Sequence, residues 1–369
     1  MARIDELLRD MKQRGASDLH LTSGSAPYMR IHGDMVKLNY KEVTAETAES
    51  LIFEILTEKQ RERFKEHWDL DLSYPLAGIG RFRVNVFMQR HGISAVCRLI
   101  PEEIKTIDEL GLPKQLASLI DASEGLILVT GPTGSGKSTT LASMIHTINI
   151  REKAHIITIE DPIEFVHTNQ SSLVSQREID SHTKSFGNAL RASLREDPDI
   201  ILLGEMRDLE TVSMAITAAE TGHLVFGTLH TNSAIKTIDR VIDVFPEAQQ
   251  TQIRVMLSES LRGVIAQVLL PRPDHQGRVA VAEILVNVPA VANLIREGKT
   301  HQIANVMQTG RAHGMMTFEN AVQDLMQKGL VSKEDGMSFL RRRSGGKQVT
   351  MPSSTGHTAP RVPLSPAIN

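Results

Sequence analysis

The sequence is poor in several features, and each scarcity excludes a class of protein. Its single cysteine, Cys97, excludes an internal disulfide framework and a tetracysteine zinc site. No stretch approaches the roughly 18–20 apolar residues of a membrane-spanning helix, and the N-terminus lacks the pattern of a signal peptide. We therefore expect a cytoplasmic protein in which Cys97 is a small apolar residue of a strand.

An excess of positive charge is also missing. The 41 Lys and Arg residues are balanced by 44 Asp and Glu residues, which gives a formal net charge of −3. This balance offers no electrostatic case for nucleic acid as the main partner. The length of 369 residues allows for roughly two or three domains of ~150 residues.

The feature that does stand out is the glycine-rich stretch GPTGSGKST at 131–139. It fits the phosphate-binding pattern G-x-x-x-x-G-K-[ST]. It follows an apolar run at 126–129 that is typical of a buried strand, and it precedes a segment with helical spacing, 137–149. In this setting backbone N–H groups converge on phosphate oxygens, Lys137 reaches the β- and γ-phosphates, and Ser138 places its hydroxyl on Mg²⁺. A glycine-rich turn that binds nothing is the alternative. The predicted phosphate-binding residues are Gly131, Pro132, Thr133, Gly134, Ser135, Gly136, Lys137, Ser138 and Thr139.

A second element ends the strand predicted at 199–204. Ligands of open α/β sheets bind beyond the carboxyl ends of the strands, and Glu205 stands at that end. Asp199 lies roughly 20 Å away at ~3.3 Å per residue, so Glu205 is the carboxylate that can serve the γ-phosphate. We predict that Glu205 orients the attacking water and assists Mg²⁺ through water. The alternative is an ion pair with Arg207.

Acidic and imidazole side chains follow two further predicted strands. Glu160, Asp161 and Glu164 come after the strand at 155–160, where one of them holds Mg²⁺ through water or contacts the histidine segment; a solvated acidic turn is the alternative. His230 ends the strand at 223–229 and is predicted to contact phosphate or support the water. His223 begins that strand and could equally be a core histidine. Zinc is not favoured, because no third ligand has suitable spacing.

Arginines in a strand pattern near the N-terminus form another candidate group. In oligomeric NTPases an arginine from another domain or subunit commonly stabilises the transferred phosphate. A solvated strand face would explain the same pattern. The residues are Arg81, Arg83 and Arg98.

The order of predicted elements divides the chain. Residues 1–100 mix strands with helices at 3–14 and 44–65 but show no βαβ rhythm, which favours an α+β domain. After a linker at 101–113, strands and helices alternate and predict a mainly parallel sheet covered on both faces. After Pro246 the pattern is mostly helical, interrupted by a strand pair at 278–286. Further helices are predicted from Pro289, His301, Thr317 and Ser332, and the tail at 344–369 is predicted to be disordered.

Four motifs together resemble the secretion ATPase superfamily that powers type IV pili and type II secretion. They are the Walker A stretch GPTGSGKST, the aspartate box ITIEDPIE, the Walker B stretch IILLGEMRD and the histidine box TGHLVFGTLHTN. The opening LLRDMKQRGASDLHLTSG and the strand GIGRFRVNVFMQR are similar to the N-terminal domain of the pilus retraction branch. The resemblance covers about 1–340 and rests on a highly specific combination of motifs.

The resemblance implies an α/β fold with a PAS-like N-terminal domain at 1–100, a RecA-like ATPase core at 114–288 and a C-terminal helical subdomain at 289–343. It implies that 131–139 bind ATP and that Mg²⁺ is held by Ser138 and, through water, by Glu205. The implied catalytic residues are Glu205, Lys137 and His230. Further implied nucleotide contacts are Glu160, Asp161, Glu164, His223, Arg81, Arg83 and Arg98.

The resemblance also implies a homohexameric motor of pilus retraction and twitching motility. Its implied place is the cytoplasmic face of the inner membrane, with a platform protein at the pilus base and a paralogous retraction ATPase as candidate partners and no nucleic acid. Retraction motors carry a motif close to AIRNLIRE, and residues 290–297 keep six of its eight positions. Ala292 replaces the arginine of that motif. An accessory retraction ATPase, an assembly or type II secretion ATPase, and a nucleic-acid-translocating motor are the alternatives.

Overall fold

The computed structural model describes residues 2–31, 33–100, 103–206, 208–274 and 277–343. Its N-terminal part is an antiparallel sheet of six strands in the order β3-β2-β1-β6-β5-β4. Apolar and polar side chains alternate along the long strand at 80–89, so one face of it is buried against helices and the other remains partly accessible. The strands are β1 Ala16–Thr22, β2 Tyr28–Ile31, β3 Asp34–Lys37, β4 Asp69–Leu76, β5 Gly80–Gln89 and β6 Gly92–Ile100.

The helices of this part correct one prediction. Thr44 caps a helix as expected, but the helix predicted at 44–65 is two helices. The chain leaves the first at Glu54, and Thr57 with Gln60 forms a capping box that starts the next. Ile55 and Leu56 are buried in the connection rather than in a helical stripe. The helices are α1 Ile4–Gln13, α2 Ala45–Phe53 and α3 Glu58–His67.

A second sheet has seven strands in the order β13-β12-β7-β11-β10-β8-β9. All neighbours are parallel except β12 and β13, which pair antiparallel. The strands at its centre are buried on both faces, as helices on both sides of a parallel sheet require. The strands are β7 Gly125–Thr130, β8 His155–Glu160, β9 Leu173–Glu178, β10 Ile200–Leu203, β11 Leu224–Leu229, β12 Leu261–Pro271 and β13 Arg278–Val286.

Two strands of this sheet were not predicted. The stretch that forms β12 was expected to be helical, because a strand buried on both faces shows no alternation of apolar and polar residues. The edge strand β9 carries mostly half-buried side chains, and its only apolar residues are Leu173 and Val174 at its start. The strand predicted at 278–286 is β13, whose partner is β12.

Helices cover both faces of the second sheet, and four more pack at the C-terminal end. Those of the core are α4 Gln115–Ile120, α5 Lys137–Arg151, α6 Phe186–Ser193, α7 Leu209–Glu220, α8 Ala234–Asp243 and α9 Glu247–Ser260. The C-terminal helices are α10 Pro289–Arg296, α11 Ile303–Thr309, α12 Phe318–Gln327 and α13 Lys333–Arg343. These elements confirm the predicted α/β class, in which an α+β N-terminal part precedes a mainly parallel core and a group of C-terminal helices.

Smaller expectations can be checked in the same frame. Cys97 is fully buried in β6, and burial raises the pKa of its thiol to about 12. Within the described residues, no helix combines the length and the apolar character needed to cross a membrane. The tail at 344–369 lies outside the described residues.

Candidate nucleotide site

The glycine-rich loop connects a buried strand to a helix. It begins where β7 ends and leads into α5, whose N-cap is Gly136. Gly131, Gly134 and Gly136 have φ angles of 147°, 77° and 87°, a region that side chains disfavour. The loop conformation therefore depends on glycine at these positions, and the unbonded N–H groups of the first turn of α5 face the loop.

Two of these glycines are also required by close packing against β12. A Cβ atom at Gly131 would lie 2.2 Å from the backbone oxygen of Gln267, and one at Gly136 would lie 2.8 Å from Nε2 of the same residue. Gly134 has no atom within 4 Å of such a position. The loop is thus pressed against β12 at both of its ends and is open in the middle.

Lys137 folds over the loop that precedes it. Its Nζ donates to the carbonyl oxygens of Gly131 at 2.8 Å and Pro132 at 3.2 Å. Burial lowers the pKa of Lys137, and the charges of Glu205 and Glu164 oppose that shift. The ammonium group therefore already lies inside the loop, held by the carbonyl oxygens of Gly131 and Pro132.

Glu205 and His230 form the second part of the site. They follow β10 and β11, which are parallel neighbours, so both strands deliver their ends to one edge of the sheet. Glu205 Oε1 lies 3.1 Å from His230 Nε2, and the Glu205 side chain is only 20% exposed. Asp199 lies at the other edge, where its carboxylate accepts a hydrogen bond from the backbone N–H of His155. Arg207, the alternative partner considered for Glu205, lies outside the described residues.

The three carboxylates of the acidic segment have different environments. Glu160 is half-buried, and its Oε1 accepts hydrogen bonds from Thr158 at 2.7 Å and from Gln176 at 3.2 Å. Burial raises the pKa of Glu160 to about 7. Glu164 is 42% exposed and faces the N-terminal part of the chain. Asp161 lies between them in the sequence, and all three residues line a cavity between the two sheets.

Arginines from the N-terminal sheet line the cavity from the opposite side. Arg98 donates to Asp18 at 2.7 Å, and that aspartate is itself buried. Arg83 lies 3.7 Å from Asp71 and 3.8 Å from Glu164, so it reaches across to the second sheet. Arg81 is half-buried on the same face of β5 but does not line the cavity.

These groups surround one cavity of about 560 Å³ between the two sheets. The structure brings most of the predicted site residues to it. Those that line it are Thr133, Gly134, Gly136, Lys137, Ser138, Thr139, Glu160, Asp161, Glu164, Glu205, His230, Arg83 and Arg98.

His223 is not brought to this cavity within the chain. It precedes β11 while His230 follows that strand, so the two lie at opposite edges of the sheet. Its Nδ1 lies 3.0 Å from the carbonyl oxygen of Ala218 at the end of α7. The contact gives one ring nitrogen of the half-buried His223 a partner within the chain, and the nucleotide contact of His223 stays a prediction.

Several residues around the cavity escaped the sequence analysis. Arg278 at the start of β13, Leu269 on β12 and His167 also line it, and burial lowers the pKa of His167 to about 4. Gln267 is buried beneath the loop and bonds to it. The only signal for Gln267 in the sequence is one amide within the apolar run of residues 264–270.

The donor atoms present suit a magnesium ion. Mg²⁺ prefers oxygen ligands and keeps several waters, so it needs only one or two groups from the protein. The Ser138 hydroxyl and the carboxylates of Glu205 and Glu164 line one cavity. Among the described residues, no group of three or more His, Cys, Asp or Glu side chains could hold a metal by itself.

Comparison with known proteins identifies the family of the chain. The family model described as type II/IV secretion system protein matches residues 1–342. The chain belongs to this family. It is 51% identical over 332 residues to the type IV pilus retraction ATPase PilT of Pseudomonas aeruginosa, which covers 90% of this chain and 96% of that protein. It is 40% identical to the type IV pilus ATPase PilU of the same organism, over 91% of this chain and 88% of that protein.

A solved structure supports the same fold. The crystal structure of the pilus retraction motor PilT with bound ADP superposes with a TM-score of 0.84 at 49% identity. The match covers 91% of this chain and 96% of that one. Both parts of the chain, and therefore the cavity between them, fall within the compared region, and the RecA-like core predicted from the sequence is confirmed.

Proposed function

We propose that this protein is an ATPase that powers the retraction of type IV pili and thereby twitching motility. The observation that carries the proposal is the cavity between the two sheets. A phosphate-binding loop with its lysine, a carboxylate–imidazole pair and two arginines from the other sheet converge on it. Phosphoryl transfer needs such positioning and charge stabilisation more than covalent chemistry.

The residues divide the reaction between them. The loop at 131–139 and the first turn of α5 hold the phosphates through backbone N–H groups, and Lys137 neutralises charge on the β- and γ-phosphates. Glu205 orients the attacking water and takes up its proton, and the adjacent His230 holds that carboxylate in place. Mg²⁺, held by Ser138 and through water by Glu205, would neutralise phosphate charge.

The two arginines connect the nucleotide site with movement between the two sheets. Arg83 and Arg98 belong to the N-terminal sheet, whereas the loop and Glu205 belong to the second sheet. ATP, ADP and the empty site therefore favour different arrangements of the two parts, which is the differential affinity that a motor requires. We propose domain boundaries at 1–100, 101–113, 114–288 and 289–343 for these moving parts.

In a cell, we propose that six copies form a ring at the cytoplasmic face of the inner membrane. Hydrolysis around the ring moves a platform protein at the pilus base, and pilin subunits leave the fibre. His223 and Arg81 do not line the cavity within one chain, so a nucleotide contact by either residue requires a neighbouring subunit of the proposed ring.

A second candidate function is an accessory retraction ATPase that depends on another motor, as the similarity to PilU allows. Ala292, on α10, stands where the retraction motif carries arginine, which favours this reading. The greater identity to PilT favours autonomous retraction. Pilus retraction in cells that lack every other retraction ATPase distinguishes the two.

The test is Glu205→Gln, in purified protein and in cells that contain no other copy. We expect ATP binding to persist and turnover to be lost, and we expect cells with many surface pili that cannot twitch. Glu210→Gln is the matched control, because Glu210 is an exposed carboxylate of the following helix, paired with Arg191 outside the cavity.

Each contrary result has its own meaning. Turnover at the wild-type rate in Glu205→Gln would remove the catalytic assignment. Cells without pili would indicate an assembly motor, and unchanged pili and motility would indicate work on another machine. DNA binding that weakens with salt would favour a nucleic-acid motor instead.

A further inference from the structure

Gln267 occupies an unusual position beneath the phosphate-binding loop. It lies in β12 and is 2% exposed. Its Nε2 donates to the carbonyl oxygen of Ser135 at 2.7 Å, and its Oε1 accepts from the Thr140 hydroxyl at 2.7 Å. Both ends of one buried amide are therefore bonded to the loop and to the helix that follows it.

The bond to Ser135 fixes more than a carbonyl. The Ser135 carbonyl and the Gly136 N–H belong to the same peptide unit, which is planar and trans, so the two groups point in opposite directions. Holding the carbonyl against Gln267 turns the Gly136 N–H away from β12. The closest atom to a Cβ at Gly136 is Gln267 Nε2, so the side chain fills the space into which this peptide would otherwise rotate.

The bond to Thr140 fixes the helix. Thr140 lies in the first turn of α5, and its backbone N–H donates to the carbonyl oxygen of Gly136 at 3.0 Å. Its hydroxyl is buried and is bonded to Gln267. The same amide thus sets the loop peptide and the helix N-terminus relative to each other.

The strand that carries Gln267 is firmly held. On one face of β12, Ile265 packs in the apolar cluster that includes Leu141 and Met144 of α5. On the other face, Ala266 and Leu270 pack in the cluster of the C-terminal helices. A polar side chain on a strand anchored from both faces can impose its geometry on a glycine loop.

We propose that Gln267 is a positioning residue of the ATPase site, which orients the Gly136 N–H group and the first turn of α5 for phosphate binding. This inference rests on the proposed function of the loop. It assigns no contact between Gln267 and the nucleotide; the residue acts through Ser135 and Thr140.

The experiment compares Gln267→Leu with Asn287→Leu in the full-length protein. Asn287 is a matched control, because its amide donates to the carbonyls of Ser258 and Leu261 at the other end of the β12–β13 hairpin. We expect Gln267→Leu to weaken ADP binding about tenfold in calorimetry and to raise the KM for ATP by a similar factor. We expect Asn287→Leu to lower the melting temperature without changing either value.

A second variant separates positioning from packing. Gln267→Glu keeps the acceptor for Thr140 but sets a carboxylate oxygen against the Ser135 carbonyl. Protonation of the buried carboxyl restores a donor at that atom, so its affinity for ADP relative to wild type should rise by severalfold as the pH falls from 8 to 6. A purely structural role would restore the melting temperature as the pH falls but would leave the ADP affinity of the folded protein unchanged relative to wild type.

The outcomes separate the inference from the proposed function. Equal ADP affinities in wild type and Gln267→Leu, or equal losses in Gln267→Leu and Asn287→Leu, would overturn the positioning role. So would a Gln267→Glu affinity that does not change with pH relative to wild type. Lys137→Ala serves as the reference: if it too binds ADP and hydrolyses ATP normally, the loop itself is not the site and the proposed function fails.

Discussion

The two sides of the cavity hold their phosphate-directed groups in contrasting ways. On one side, which we call the loop side (residues 131–140 with Gln267), the groups are fixed by short, buried hydrogen bonds. On the other, which we call the arginine side (Arg83 and Arg98), the arginines are exposed by 37% and 66% and are held by ion pairs. A buried hydrogen bond resists displacement, because its groups cannot turn to water instead, whereas exposed ion pairs contribute little and are easily exchanged.

This difference indicates which side is preformed. The loop side is already shaped for phosphate, since glycine φ angles and packing on β12 define it without a ligand. Arg83 instead divides its charge between Asp71 of its own sheet and Glu164 of the other, at distances too long for hydrogen bonds. Arg83 is therefore the adjustable part of the arginine side, whereas Arg98 is held by a 2.7 Å hydrogen bond to the buried Asp18.

The largest effect should come from disturbing the loop side. Gly131→Ala places a Cβ atom 2.2 Å from the backbone of β12, which cannot move away as a side chain could. We expect ATP turnover to fall by roughly a thousandfold or more, to the limit of detection. Gly134→Ala is the control: it shares a positive φ but meets no atom within 4 Å, so steady-state assays should show a loss of only about tenfold.

If Gly131→Ala and Gly134→Ala are equally impaired, backbone strain alone governs the loop and the close approach of β12 is irrelevant. The contrast between a preformed and an adjustable side would then lose its main support.

The next effect concerns the arginine side. Arg98→Ala and Arg83→Ala remove charge that we propose compensates the transferred phosphate, and we expect kcat to fall by about a hundredfold while KM changes little. The stability of the nucleotide-free protein should hardly change in Arg83→Ala, since exposed ion pairs contribute about 0–1 kcal/mol. Arg98→Ala should be less stable, because it removes the hydrogen bond to the buried carboxylate of Asp18. Steady-state kinetics and denaturant unfolding provide the two measurements.

Arg63→Ala is the matched control for the arginine side. Arg63 also joins the two parts of the chain, through an exposed ion pair with Asp180 at 2.9 Å, but it does not line the cavity. Wild-type kinetics in this variant would show that the effect belongs to the cavity. A comparable fall in kcat would instead mean that any link between the two parts affects turnover.

The sequence predicts the groups that lie on one sheet better than the groups that two separate parts of the chain bring together. Glu205, His230 and Glu160 follow strands of one parallel sheet, so strand order alone brings them together at its carboxyl edge. Predicting that Arg83 and Arg98 reach the same site required the family resemblance, because no local pattern shows which surfaces of two domains meet. His223 could not be resolved, since a strand with a histidine at each end gives no hint of which end is used.

Gln267 was missed for a different reason. Its strand is buried on both faces, so the sequence shows no alternation of apolar and polar residues and was predicted to be helical. Neither this pattern nor the neighbouring residues indicated a role for Gln267. The amide matters only because β12 lies beside β7 in the sheet, far away in the chain. Local sequence patterns do not show which distant segments pack against a motif, whereas the phosphate-binding motif itself is recognised directly from the sequence.

The smallest effect tests the acidic segment, which lies between the two sides. The pKa of Glu160 is raised from 4.5 to about 7 by burial, so the folded protein holds this proton more tightly than the unfolded chain. The stabilising contribution is complete below pH 4.5 and is lost as the pH rises through about 7. Glu160→Gln keeps an oxygen acceptor for Thr158 and Gln176 but cannot ionise.

We therefore expect the free energy of unfolding of wild type to fall, relative to Glu160→Gln, by on the order of 2 kcal/mol between pH 5 and pH 8. Denaturant unfolding of the nucleotide-free proteins at the two pH values measures this difference. Burial lowers the pKa of His167, so this histidine destabilises the folded protein as the pH falls. Because His167 is present in both proteins, its contribution cancels in the difference. A constant difference across this range would mean that Glu160 ionises like an exposed carboxylate, and that the acidic segment, like Arg83, is adjustable rather than preformed.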